Sequence, residues 1–141
     1  MIRARPRKSG MSTSLHDRSI VGYEVDAQLR RLTLRTASHP ITPATPVVRV
    51  LFLDVEAYSL VHDAFGNIIF SIDEVPATDI LKENRALFEA GARQAGWPRF
   101  WGRSFDEAKT YLLEHKTRGF ELCASIGMSG WVLSKEMVIE G

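Results

Sequence analysis

The hydrophobic period of this 141-residue chain changes twice, and nothing else in the sequence limits its fold as much. Residues 20–26 alternate, with Val21, Tyr23 and Val25 on one face and Gly22, Glu24 and Asp26 on the other. Leu32 and Leu34 alternate with Arg31, Thr33 and Arg35. A period of two marks half-buried strands, and the short gap at residues 27–30 joins these two as an antiparallel hairpin. Three prolines in residues 38–46 restrict the backbone and remove amide donors, so that stretch is a loop. Residues 47–58 are the longest apolar run, dense in Val, Leu and Phe, as in a long central strand covered on both faces. A turn follows at residues 63–67, with Gly66 and Asn67 the residues that tolerate positive φ, and residues 68–73 read as a fourth strand.

From Thr78 to Ala95 the spacing becomes helical, with Ile80, Leu81, Leu87, Phe88, Ala92 and Ala95 on one face. Gly96 and Pro98 end this helix. Ser104 and Glu107 have capping-box spacing and open a second helix, whose inner face carries Phe105, Ala108, Leu112 and Leu113 and which stops near Lys116. Phe120, Leu122 and Ala124, then Trp131, Leu133 and Lys135, return to strand spacing around a turn at residues 125–130. The order ββββ-αα-ββ keeps strands with strands and helices with helices. It predicts an α+β fold: a mainly antiparallel sheet of about six strands with two helices packed on one face.

A chain of this length buries roughly two thirds of its unfolded surface, enough for a core without disulfides or metals. Its 45% apolar and 25% charged content is that of an ordinary globular protein. Residues 1–14 read as a flexible basic tail and residues 15–141 as one domain, with Met11 an alternative start. Residues 1–10 hold four basic and no acidic side chains. The remainder has 14 basic against 17 acidic, a balance of −3. A mildly acidic body argues against nucleic acid as the partner. A single cysteine cannot form an internal disulfide, no apolar run reaches membrane-spanning length, and no apolar stretch follows the basic start. These features place the protein in the cytoplasm, with no membrane partner.

The residues that draw chemical attention fall into three sets. Two His-Asp doublets, His16-Asp17 and His62-Asp63, carry groups that together hold divalent metals. They support an alternative reading as a small metal-binding protein or metal-dependent hydrolase. Adjacent side chains on an extended segment point to opposite faces, however, so one doublet alone does not chelate, and turn or cap roles explain both. Asp54 and Glu56, two apart on one strand, with Glu24 and Asp26 on another, form an acidic face suited to a basic partner or to cross-strand pairing with arginines. The third set is Trp97, Arg99, Phe100 and Trp101, between the two helices. Trp and Arg recur at binding hot spots, and large aromatics also plug the open ends of cores. Cys123 lies among apolar strand residues and reads as core. Residues 127–130 precede a strand rather than a helix, so they do not form a nucleophile elbow. No cofactor motif is present and no cofactor is expected.

The stretches LHDRSIVGYEVD (15–26), AFGNIIFSIDEV (64–75), AGWP (95–98) and SGWVLSKEMVI (129–139) resemble those of small bacterial proteins of unassigned function. The layout of leading His-Asp, hairpin, long apolar strand and helix pair is similar to that of some immunity proteins of bacterial toxin systems. The resemblance covers most of residues 15–139 and carries no catalytic residue with it. It implies a non-enzymatic interaction protein that neutralises a toxin by binding it. An exposed sheet face or strand edge also offers a route to a homodimer. A small-molecule pocket between sheet and helices is a third reading.

Overall fold

Among the described residues, local signals and long-range pairing together make one antiparallel sheet of nine strands. A computed structural model describes residues 15–141 and the backbone of Ile2 and Arg3. The strands are β1 (Ile2–Arg3), β2 (Ser19–Asp26), β3 (Arg31–Ala37), β4 (Val48–Leu53), β5 (Ala57–Val61), β6 (Asn67–Pro76), β7 (Arg118–Ile126), β8 (Ser129–Ser134) and β9 (Glu136–Glu140). Between β6 and β7 lie α1 (Ala77–Glu83), α2 (Arg85–Ala95), a 3₁₀ turn (Arg99–Trp101) and α3 (Phe105–Glu114). The sheet order is β1-β9-β4-β3-β2-β6-β7-β8-β5. The α+β class and the antiparallel sheet are as the periodicity predicts. The tail read for residues 1–14 lies outside the described residues, except that Ile2 and Arg3 pair with Ile139 and Val138.

The strand count departs from about six because two long runs are broken and β1 adds one more strand. β4 and β5 are one apolar run interrupted at Asp54, whose φ is 54°. β8 and β9 are likewise separated by Lys135 alone. Leu53 lies opposite Glu136 and Ala57 opposite Leu133, so three residues on one strand face two on the other, the signature of a bulge. The Lys135 amide donates to the Leu53 carbonyl and the Glu56 amide to the Leu133 carbonyl, carrying the ladder across the bend. The two broken strands are therefore one bent ribbon. β4 reaches β3 on its other side, β8 reaches β7, and β2 meets β6, so the sheet closes into a barrel.

The barrel interior collects inward-facing residues from nearly every strand, among them Leu32, Leu34, Val50, Phe52, Ile69, Phe120, Leu122 and Val132. The helices cover the outside of β5 and β8, where Leu133 and Trp131 meet Ile80, Leu81, Phe88, Ala108 and Leu112. The first predicted helix is two. Asn84 takes φ −111°, and its amide and side-chain nitrogen both donate to the Ile80 carbonyl, ending α1. Leu87 and Leu113, expected on inner faces, are 48% and 61% exposed, because Phe88 and Leu112 beside them take the core positions. Gly96 ends α2 in the left-handed region, and Ser104 Oγ accepts from the Glu107 amide, as the caps predict.

Two local expectations are corrected. In the turn before β6, positive φ falls at His62 and Phe65 rather than at Gly66 and Asn67. Asn67 instead begins β6 and is buried; its oxygen accepts from the Ala64 and Met128 amides, and its nitrogen donates to Asp63. Cys123 is exposed rather than core. β7 turns Phe120 and Leu122 into the barrel, so Cys123 takes the opposite face. A maleimide is accordingly expected to label Cys123 fully without denaturant; labelling that requires unfolding would contradict this placement. Among the described residues no helix is long and apolar enough to cross a membrane.

Candidate functional site

The barrel is incomplete at one place, and the opening follows from the strand lengths. β2 pairs with β6 only through Ser19 and Ile20, and a register irregularity follows between Ile20 and Gly22. Beyond it β2 overhangs, held among the described residues by β3 alone. Tyr23 lies opposite Leu34 and Val25 opposite Leu32, so both face the interior side of the sheet. Leu34 and Leu32 are 1% and 0% exposed, yet Tyr23 and Val25 are 43% and 49% exposed. A core-type apolar face is left without a cover. β5 repeats this on its own side: Tyr58 lies opposite buried Val132 but is itself exposed.

Val25, Leu32, Val55, Ala57 and Tyr58 line a depression of about 200 Å³ at this mouth. It runs into a larger cleft of about 570 Å³ reaching Arg99, Phe100 and Tyr111. Ala27, Arg30, Val55, Glu56 and Trp97 border both. The groove thus extends from the β2 overhang, past the β4–β5 bend, to the connector between α2 and α3.

Polar groups in the floor are held by one another. Glu56, with a side chain 8% exposed, pairs with Arg30 at 2.6 Å and accepts from the Tyr111 hydroxyl at 2.8 Å. Arg30 also donates to the Val55 carbonyl, which fixes the hairpin tip against the bend. Tyr111 stacks on Phe100, with ring centres 5.7 Å apart. Burial, and then the hydrogen bond and charge of Glu56, push the Tyr111 phenol above its ordinary pKa. Folding therefore favours the protonated phenol. That contribution is fully present below the unfolded value of about 10 and is lost as pH rises through the raised folded value. Tyr111→Phe is expected to cost about 1–2 kcal/mol at neutral pH, with the deficit closing in alkali. Urea titrations across pH would detect a pH-independent deficit, which would contradict the assignment.

The structure brings four of the residues singled out from sequence to this cleft: Trp97, Arg99, Phe100 and Glu56. Phe100 and Trp101 are 7% and 5% exposed and serve the helix-side core, where Phe88 meets both rings. Arg99 is exposed and makes no ion pair among the described residues. The acidic set divides: Asp54 is exposed on the bend, Glu56 turns inward to Arg30, and Glu24 lies on the outer face of β2.

His16 and Asp17 stand 3.5 Å apart, with His16 Nδ1 on the Phe70 carbonyl. Asp63 accepts from the Asn67 side chain and the Phe65 amide, which hold its carboxyl below the usual range. Among the described residues no three His, Cys, Asp or Glu side chains gather as a metal site.

Sequence reasoning missed Arg30, Tyr111, Tyr58 and the exposure of Tyr23 and Val25. Tyr111 and Glu56 are 55 residues apart, so no local pattern links them. The chain matches no protein-family model, no curated protein and no solved structure.

Proposed function

We propose that this is a non-enzymatic interaction protein that binds a basic protein partner across the mouth of its barrel, in the manner of a toxin-neutralising immunity protein. The observation that carries the reading is the uncovered interior face of β2, where Tyr23 and Val25 sit level with the buried Leu34 and Leu32. An apolar face rimmed by polar groups is the usual mark of a protein-binding surface. Trp97 and Arg99 extend the same groove and are residue types that dominate binding energy. The acidic balance of the body and the exposed Glu24, Asp26 and Asp54 favour a basic partner, whose attraction weakens with salt.

The test is capture from lysate of the source organism on the tagged protein and on a Tyr23→Ser/Val25→Ser variant. Both side chains are exposed, so the variant should keep its fold. A stoichiometric partner held by wild type, released by salt and weakened at least ~10-fold by the variant is the expected result. A partner held equally by both proteins, or no partner at any salt, would contradict the reading.

A further inference from the structure

Resting on that reading, we propose that the partner is held as an added strand: an extended segment of alternating basic and apolar residues that pairs with the bare edge of β2. Residues 22–26 of β2 pair with β3 on one side, and among the described residues no strand occupies the other. In an antiparallel sheet every second residue turns its N–H and C=O toward such an edge, so these groups form a template for another chain. Val21, Tyr23, Glu24, Val25 and Asp26 are all exposed, which leaves the approach open.

The chemistry of the two faces selects the occupant. An added strand inherits the alternation of β2. Its inward side chains would lie beside Tyr23 and Val25 and complete the apolar face over Leu32 and Leu34, so they must be apolar. Its outward side chains would lie beside Glu24 and Asp26, so they should be basic. A second copy of this chain satisfies the first condition and fails the second. Antiparallel pairing of two β2 edges brings Glu24 and Asp26 onto one face with the same acids of the other copy, and like charges across strands repel. The barrel also explains why the edge is free. Where β6 would continue beside β2, the chain instead makes the turn at residues 62–66, and the Tyr23 hydroxyl donates across to Asp63 at 3.4 Å.

The experiment uses the full chain and a fluorescein-labelled peptide of alternating valine and lysine, read by anisotropy. Two further peptides carry N-methyl groups on every second residue, one in each register. A strand bound through one edge uses the amides of one register only, so one methylated peptide should bind at least ~10-fold more weakly while the other binds like the parent. Glu24→Lys, a change at an exposed position, should shift preference toward an alternating valine–glutamate peptide. Equal binding of both methylated peptides, no binding at any salt, equal affinity of wild type for the acidic peptide, or a β2-mediated dimer that the peptide does not displace would overturn strand addition. If the natural partner is still lost on Tyr23→Ser/Val25→Ser while the two methylated peptides behave alike, the interaction reading stands and the strand-addition inference falls.

Discussion

Phe88→Ala is expected to destabilise the protein by about 3–5 kcal/mol, a fall in Tm of roughly 10–15 °C. Phe88 is fully buried at the centre of the helix-side core. Its ring lies 5.3 Å from those of Trp97 and Trp131 and meets Phe100 and Trp101 as well. Large rigid rings on several sides cannot collapse into the space left behind, so the loss should lie at the upper end of large-to-small changes. Phe88→Leu, which retains most of the volume, should cost much less. The consequence reaches the groove, because Phe88 supports the rear of Trp97 and Phe100, whose front sides line the cleft. Chemical denaturation of the two variants measures the difference. A cost near 1 kcal/mol for the alanine variant would mean that the aromatic cluster is far looser than its geometry implies.

Gly130→Ala should be nearly as damaging, at about 2–3 kcal/mol, for a different reason. Gly130 lies in β8 between Leu60 and Leu122. A Cβ there would be driven into the Ser59 carbonyl oxygen and crowd the Leu60 backbone at 3.1 Å. Backbone cannot yield without disturbing the β5–β8 ladder that closes the barrel. Gly22→Ala in β2 provides the contrast. The atoms nearest its Cβ would be those of the Arg35 guanidinium, the end of a flexible side chain that can swing away. That change should be near neutral, and a loss at Gly22 comparable to that at Gly130 would contradict the difference between the two strands.

The period-two and helical patterns were sufficient to recover the α+β class, the β2–β3 hairpin and the caps at Gly96 and Ser104, because each depends on residues close in sequence. Closure of the barrel was not legible. It depends on which strands meet, and the bend at Asp54 hides inside a continuous apolar run. Alternation grouped Val21, Tyr23 and Val25 as one stripe, and register puts Tyr23 and Val25 on the interior side. It could not reveal that pairing with β6 stops at Ile20 and leaves them uncovered. By sequence, the aromatic connector suits either a plug or a surface. The structure divides it, with Phe100 and Trp101 largely buried while Trp97 and Arg99 border the groove. The Glu56–Arg30–Tyr111 cluster joins three separate segments, and only their convergence in space makes it visible.

Hydrogen–deuterium exchange on the free protein and on its complex with the captured partner tests the proposed interface most directly. Slowed exchange is expected at residues 21–26, at residues 55–58 and around Trp97 and Arg99, with the far side of β6 and β7 unchanged. Protection that leaves residues 21–26 unaffected and falls instead on the exposed Phe70 and Cys123 face would place the partner elsewhere and contradict the mouth of the barrel as its site.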